Sequence, residues 1–396
     1  MGTDGRHCTR FLLQNLPVAP NRLNETGRVR WLVPGTQLAE AWSMTGKDAL
    51  LIAAGVIVGA ALAAEARRVR RAIDLEGRTA LVTGGSRGLG LLIARELGGQ
   101  GAKVVLLARD QAELERAERR LADEGIDASI IVSDLADGAA AERAVDAVLR
   151  RHAAIDVLVN NAGIITVGPI EHVTVEDFEE SMAVHFWGPL HTMRAAIPHM
   201  RRHGGGRIVN ISSIGGKIGV PHLAAYCAGK FALTGLSSAL TPELARDNIV
   251  VTTVCPGLMR TGSPFNAWFK GRHRQEFAWF AIADSLPLVS ANGRRAAAQI
   301  VDAMRHGDAE LVITWAAQLA VLANAVMPNT VARALQATSA LLPGPAGPEG
   351  NQRRSGWQSL SDWAPSWLIR LTEIAADENN EVPNLAPAPE PSPVRG

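Results

Sequence analysis

From Asp74 onward the chain alternates short apolar β-type runs with charged, amphipathic segments of helix length, and few architectures tolerate that texture. The runs occupy residues 79–83, 103–108, 128–132, 156–159, 206–211, 249–254 and 310–314. Each is apolar or β-branched nearly throughout instead of alternating with polar residues, which is the pattern of strands covered on both faces. Helices of the intervening length supply the two covers. The expected fold is α/β, a doubly wound parallel sheet over residues 73–315.

The loops between these elements carry the chemistry. The first run leads into Thr83-Gly84-Gly85-Ser86-Arg87-Gly88-Leu89-Gly90, and a helix follows. Glycines at that point let the backbone approach a pyrophosphate, and the helix N-terminus offers it unpaired N–H groups. The second run ends Leu107-Ala108-Arg109-Asp110. A dinucleotide without a 2′-phosphate is met at this strand end by an acid, and a 2′-phosphate by a guanidinium. Arg109, with Arg87 in the glycine loop, therefore favours NADP (NADPH) over NAD. In the plainer alternative Arg109 is a solvated loop residue and Asp110 caps the next helix. The third run leads to Asp134 and Leu135, where the acid could bond an adenine amino group or cap a helix. After the fourth comes Asn160-Asn161-Ala162-Gly163, a turn that brings side-chain amides and close backbone to where a cofactor ribose would lie.

The chain has one tyrosine, Tyr226, standing thirteen residues after Ser213 and four before Lys230. A free phenol titrates near pH ~10 and is a poor acid or base at neutrality. An ammonium one helical turn away is expected to lower that value towards the working range, with the serine hydroxyl holding the reacting oxygen. Taken alone, the motif is as easily a packed tyrosine beside a solvated lysine.

Together these motifs resemble the short-chain dehydrogenase/reductase family, in order and spacing, over about residues 75–315. They are the TGGSRGLG loop, Asp134, the NNAG turn, Ser213, the YCAGK segment and Pro256-Gly257 with Thr261 beyond. The resemblance implies a Rossmann fold and hydride transfer between nicotinamide and a carbonyl or alcohol. It makes Tyr226 the general acid/base, gives Ser213 the substrate carbonyl, and gives Lys230 the nicotinamide ribose. Pro256, Gly257 and Thr261 would line the nicotinamide and phosphates. Where members usually carry an asparagine in the helix after the fourth strand, this chain has His185, which is expected either to keep a proton relay to Lys230 or only to pack against Trp187 and a backbone carbonyl. Gly229 replaces a common serine with little expected effect. Family members usually pair through these helices, so a homodimer or homotetramer is expected.

Residues 262–288 hold six aromatic side chains among basic ones, expected to form a lid over a bulky apolar substrate such as a steroid, retinoid or long-chain lipid. The same segment could instead lie on a membrane, with Lys270, Arg272 and Arg274 at headgroups. Two competing activities are reduction of carrier- or coenzyme-linked acyl groups and, outside catalysis, nucleotide sensing or scaffolding.

The flanks are less specific. Residues 1–43 lack periodicity and are expected to be disordered or a mis-called extension ahead of Met44. Within 44–72, Ala49 to Ala64 is an unbroken apolar or glycine run, after which come Glu65, Arg67, Arg68, Arg70 and Arg71. It is slightly short of the roughly twenty residues of a span, but the arginines would hold the sheet-forming region on the cytoplasmic side of an anchor. A cleaved signal ending Ala61-Leu62-Ala63 and a soluble buried helix are the rivals; without the anchor the protein is expected to be cytoplasmic. Residues 316–342 read as two amphipathic helices packing on the domain or a bilayer, and 343–396 as a proline-rich linker, a segment with Trp357, Trp363 and Trp367 that docks back, and a disordered tail from Pro383. A formal net charge of +1 supplies no field for nucleic acid, and none is expected as a partner. His199 and His203 are expected at a solvated helix end, with no metal; the three cysteines have neither paired nor ligand spacing.

Overall fold

The computed structural model describes residues 46–286 and 290–382. The expectations for 1–43 and for the tail from Pro383 fall outside the described residues. The chain divides into two compact units, the second beginning at Arg71.

In the first unit, helix α1 runs Gly46–Arg70. Among the described residues no helix is long and apolar enough to cross a membrane. The expected anchor at 49–64 is therefore not supported. Its apolar run falls short of the roughly twenty residues of a span, and the helix is completed by Glu65, Arg67, Arg68 and Arg70.

The second unit is built on a seven-stranded parallel sheet. Its elements in chain order are β1 (Thr79–Thr83), α2 (Gly88–Gly99), β2 (Lys103–Ala108), α3 (Gln111–Asp123), β3 (Ala128–Val132), α4 (Gly138–His152) and β4 (Val157–Asn160). Next come β5 (Thr166–Val167), α5 (Val175–Met182), a π-helical turn (Ala183–Trp187), α6 (Gly188–Arg202), β6 (Gly206–Ile211), α7 (Ala224–Ala245) and β7 (Ile249–Pro256). The remainder comprises β8 (Met259–Arg260), α8 (Ser263–Asn266), β9 (Trp268–Phe269), α9 (His273–Ser285), β10 (Ala291–Asn292), α10 (Gly293–His306), β11 (Glu310–Ile313), α11 (Trp315–Val326), α12 (Pro328–Ser339), β12 (Arg354–Ser355) and α13 (Ser366–Glu378).

The strand order is β11-β7-β6-β4-β1-β2-β3. Successive residues of one strand face opposite layers. Ala80 and Val82 join Leu91, Leu114 and Ile300 on one side, while Leu81 joins Val145, Met193 and Leu244 on the other. Both faces are buried, which is why the strands read as continuous apolar runs; each large side chain so buried contributes about 1.5–3 kcal/mol. The order reverses between β1 and β4, and the loops leaving those two strands splay to open a crevice at their carboxyl ends.

A third core sits over that crevice. Phe265, Phe269 and Phe277 pack with Ile369 and Ala376 from α13, and β5, β9 and β12 form a small separate sheet. The domain thus does not stop at 315. In the segment after residue 343 only Trp357 of the three tryptophans packs inward, stacking on Phe265 at 4.6 Å. Trp363 and Trp367 are 64% and 75% exposed. Helices α11 and α12 pack on each other; α12 buries no residue, whereas α11 meets the domain through the buried Ala317 and through Asn324 Nδ2, which donates to Lys217 O at 3.5 Å.

Candidate active site

The glycine loop forms because its residues leave no room for side chains. Gly84 takes φ 63°, and a Cβ there would stand 2.8 Å from Ala162 Cα. Asn161 locks the loop to β4: its Nδ2 donates to the carbonyls of Thr83 and Gly84, both at 3.1 Å. Thr83 Oγ1 in turn accepts from Asn161 N at 2.9 Å and Ala162 N at 3.2 Å. The first glycine motif and the NNAG turn are therefore one hydrogen-bonded cradle. A cavity of about 780 Å³ opens above it.

Every cofactor-contact residue expected from the sequence except Thr83 and Gly90 lines that cavity: Gly84, Ser86, Arg87, Gly88 and Leu89, then Arg109, Asp134 and Leu135, then Ala162 and Gly163 beside Asn161, and Pro256, Gly257 and Thr261 across the crevice. Thr83 and Gly90 lie just beneath, as supports. At the end of β2, Asp110 Oδ1 accepts from Glu113 N at 2.8 Å and caps α3, so this acid is occupied. Asp134 Oδ1 likewise accepts from Ala136 N at 3.0 Å. Arg87 pairs with Glu113 at 2.7 Å, while the more exposed Arg109 approaches Asp134 only to 4.0 Å.

Ser213, Tyr226, Lys230 and His185 line the same cavity. Ser213 follows β6 and accepts from Gly215 N at 3.0 Å. Tyr226 and Lys230 fall one turn apart on α7, with the ammonium nitrogen 5.7 Å from the phenol ring. Lys230 Nζ donates to Ile211 O at 2.8 Å. The expected lowering of the phenol is overturned: burial pushes Tyr226 above its ordinary value, against the hydrogen bond it shares with Ser213. Burial also brings Lys230 down to about 7. Sequence spacing puts the two groups together, but the low dielectric around them penalises both charged forms, and burial is the leading cause of each shift.

His185 sits in the π-helical turn with its ring edge-on to Tyr226, centroids 5.3 Å apart. Its Nε2 accepts from Ile164 N at 3.2 Å, which assigns the ring proton to Nδ1; Nδ1 donates to Ser181 Oγ at 3.1 Å, and Ser181 donates to Ala225 O at 2.7 Å. Burial, and then the charge of Lys230, holds this imidazole well below its ordinary value and so neutral. Both nitrogens are committed to protein partners. This differs from either expectation: His185 ties the strand-four loop to the start of α7 and braces the tyrosine ring. Ser181, one helical turn before it, carries no motif that marks it in the sequence.

The lid is built inward. Phe265, Phe269 and Phe277 are fully buried. Lys270 forms a buried ion pair with Asp177, the capping-box acid of α5, so it is not available to a headgroup as the membrane-surface alternative requires. The fully buried Glu276 accepts from Trp279 Nε1 at 2.7 Å and lies 3.0 Å from His222 Nδ1, which fastens α9 to the loop before Tyr226. His199, expected to be solvated, is buried and stacks on His203 at 3.8 Å. Among the described residues no group of three or more metal-ligating side chains converges.

One acid that no motif marked reaches the substrate half. Asp284, at the end of α9, is buried, and burial lifts it to about 8 despite a hydrogen bond from Ser263. A carboxyl whose folded value is raised binds more protons folded than unfolded between the two values, so its contribution to stability falls as pH rises through that window. Compared with Asp284→Asn, the unsubstituted chain is expected to lose stability between pH ~5 and ~8, by at most about 1.4 kcal/mol per unit. Parallel thermal melts of the two proteins check this; a pH-independent difference contradicts it.

The family model for short chain dehydrogenase matches residues 78–267. A dehydrogenase/reductase SDR family protein 7-like of Anopheles gambiae is 38% identical over 203 residues, which are 50% of this chain and 64% of that protein. The match thus spans a little under two thirds of that relative. Dehydrogenase/reductase SDR family member 4 of Rattus norvegicus is 34% identical over 203 residues, 51% of this chain and 72% of that one. Among solved structures, a gluconate 5-dehydrogenase from Burkholderia cenocepacia in complex with NADP and tartrate is 28% identical with a TM-score of 0.55, covering 62% of this chain and 96% of that one.

Proposed function

The chain belongs to the short-chain dehydrogenase/reductase family of NAD(P)-dependent oxidoreductases, and from that premise we propose that it reduces the carbonyl of an apolar substrate with NADPH, Tyr226 being the proton donor. The observation that carries this reading is the convergence of Ser213, Tyr226 and Lys230 with the glycine cradle on one cavity. When bound, the cofactor supplies a hydride to the carbonyl carbon. Tyr226 gives its proton to the carbonyl oxygen as charge develops there, and the Ser213 hydroxyl orients that oxygen. Burial keeps the phenol protonated, the form that can give a proton to the carbonyl oxygen. Lys230, held by Ile211 O, would bond the cofactor ribose, and His185 is a positioning residue for the tyrosine ring.

An apolar substrate is supported by the walls beyond Ser213, where Ile165, Val184, Leu223, Trp279, Phe280 and Trp357 line the cavity. A homodimer or homotetramer through the family's usual helices is supported by Trp187 and Phe231, which stand 49% and 43% exposed on them. Assays of lipophilic ketones and of coenzyme- and carrier-linked ketoacyl groups, each with NADPH and NADH, test the function. Turnover of the lipophilic ketones is expected. Turnover of the linked acyl groups alone replaces the substrate class, and cofactor binding without any turnover returns the protein to nucleotide sensing.

The choice of NADPH is supported by the β2 end, where the acid is spent on a cap and Arg109 is only loosely paired. A charge-assisted contact of this kind is worth about 1.5–3 kcal/mol. Arg109→Ala is expected to weaken NADPH binding by about tenfold or more and NADH binding by less than about twofold, as read by fluorescence titration. Equal losses would sink the assignment.

A further inference from the structure

Helix α13 ends at the mouth of the glycine loop. Asn380 takes a left-handed φ of 61°, and Glu381 N turns back to Ala376 O at 2.8 Å, a closure that ends many helices. That turn lays residues 379–381 across the entrance of α2. On one wall, Gly88 N donates to Asn379 O at 2.9 Å, and Asn380 Nδ2 donates to Ser86 O at 2.8 Å and Glu113 O at 3.1 Å. On the other, Asn379 Nδ2 donates to Thr261 O at 3.3 Å and Asn266 Nδ2 donates to Glu381 Oε2 at 2.9 Å. All three residues are buried, Glu381 lines the cavity, and its Oε1 lies 2.7 Å from where a Cβ on Gly88 would stand.

The segment therefore bridges both walls of the cleft at the amino end of α2, where a pyrophosphate would be received. The Asn379 carbonyl and the Glu381 carboxyl are acceptors, as phosphate oxygens are, and one N–H cannot serve both fully. Burial, opposed by the nearby Arg87, lifts Glu381 to about 8, so the group is held there with little charge.

We infer that residues 379–381 are a strap closed across the pyrophosphate end of the cleft, and that the dinucleotide enters and leaves by lifting it. The inference rests on the reading of this cleft as a nicotinamide dinucleotide site, and the two fail separately. Equilibrium titration of the full chain with NADPH comes first; absence of binding overturns the cofactor reading itself. Stopped-flow fluorescence then compares the full chain, a chain ending at Glu378, and Asn380→Ala, which removes both side-chain donations and the bond Asn380 Oδ1 accepts from Arg116 and disfavours the left-handed turn. Association and dissociation rate constants for NADPH are both expected to rise by about tenfold when the strap is removed or loosened. Rates within about twofold of the full chain in Asn380→Ala, with NADPH still bound, overturn the strap even if the shortened chain does not fold.

Discussion

Tyr226→Phe is expected to lower turnover of any ketone this chain reduces by about 10³-fold, with NADPH affinity changed by less than about twofold. The substitution removes one oxygen and keeps the ring, so its edge contact with His185 survives. Ser213 still accepts from Gly215 N, and Lys230 still donates to Ile211 O. What disappears is the proton donor at the point where the carbonyl oxygen gains charge. The loss should fall on kcat and not on KM, because the interaction is made in the transition state and not in ground-state binding. Steady-state kinetics beside a fluorescence titration decide it. A variant retaining a tenth or more of the original kcat would mean that Ser213 or a water supplies the proton, and Tyr226 would revert to a packing residue.

Gly90→Ala is expected to abolish dinucleotide binding, with affinity down by about 100-fold or more, and to destabilise the fold by about 1–3 kcal/mol. A Cβ at this position would overlap Gly84 O and stand 2.5 Å from Asn161 Nδ2. Both groups are already bonded to each other, so neither can yield without opening the link between the glycine loop and the NNAG turn. Gly99, on the same helix, is the control: a Cβ there meets nothing within 4 Å. Gly99→Ala should leave binding intact and raise stability by a few tenths to about 1 kcal/mol through helix propensity. Melting temperatures and NADPH titrations of the two variants separate the effects; normal binding by Gly90→Ala would remove the cradle from the cofactor site.

The sheet could be read from the chain because strands covered on both faces leave a contiguous signature. Six of the seven runs differ from the observed strands by at most one residue at either end, and the seventh, β7, extends to Pro256. The glycine loop, the NNAG turn and the Ser-Tyr-Lys set were legible because each is local, its geometry fixed by spacing along one loop or one helical turn. The errors came where a side chain's surroundings are set by distant residues. Lys270 looks like a headgroup contact until Asp177, 93 positions earlier, is seen to pair with it in the interior. The Tyr226–Lys230 spacing gives proximity but not dielectric, so the direction of the phenol's shift was misjudged. Asp284 and Glu381 carry no motif. Their importance comes from burial inside a cavity whose walls are 100 to 300 residues apart in sequence.

The side-chain amide of Asn380 reaches the carbonyl of Ser86, 294 positions away. During synthesis residues through Glu381 must therefore leave the ribosome before these contacts across the cleft can form, long after the last strand of the sheet, Glu310–Ile313, has emerged. A stop codon or a fused partner placed just before that point would spare the sheet and alter the cleft, so a purification tag grafted there is not a neutral choice.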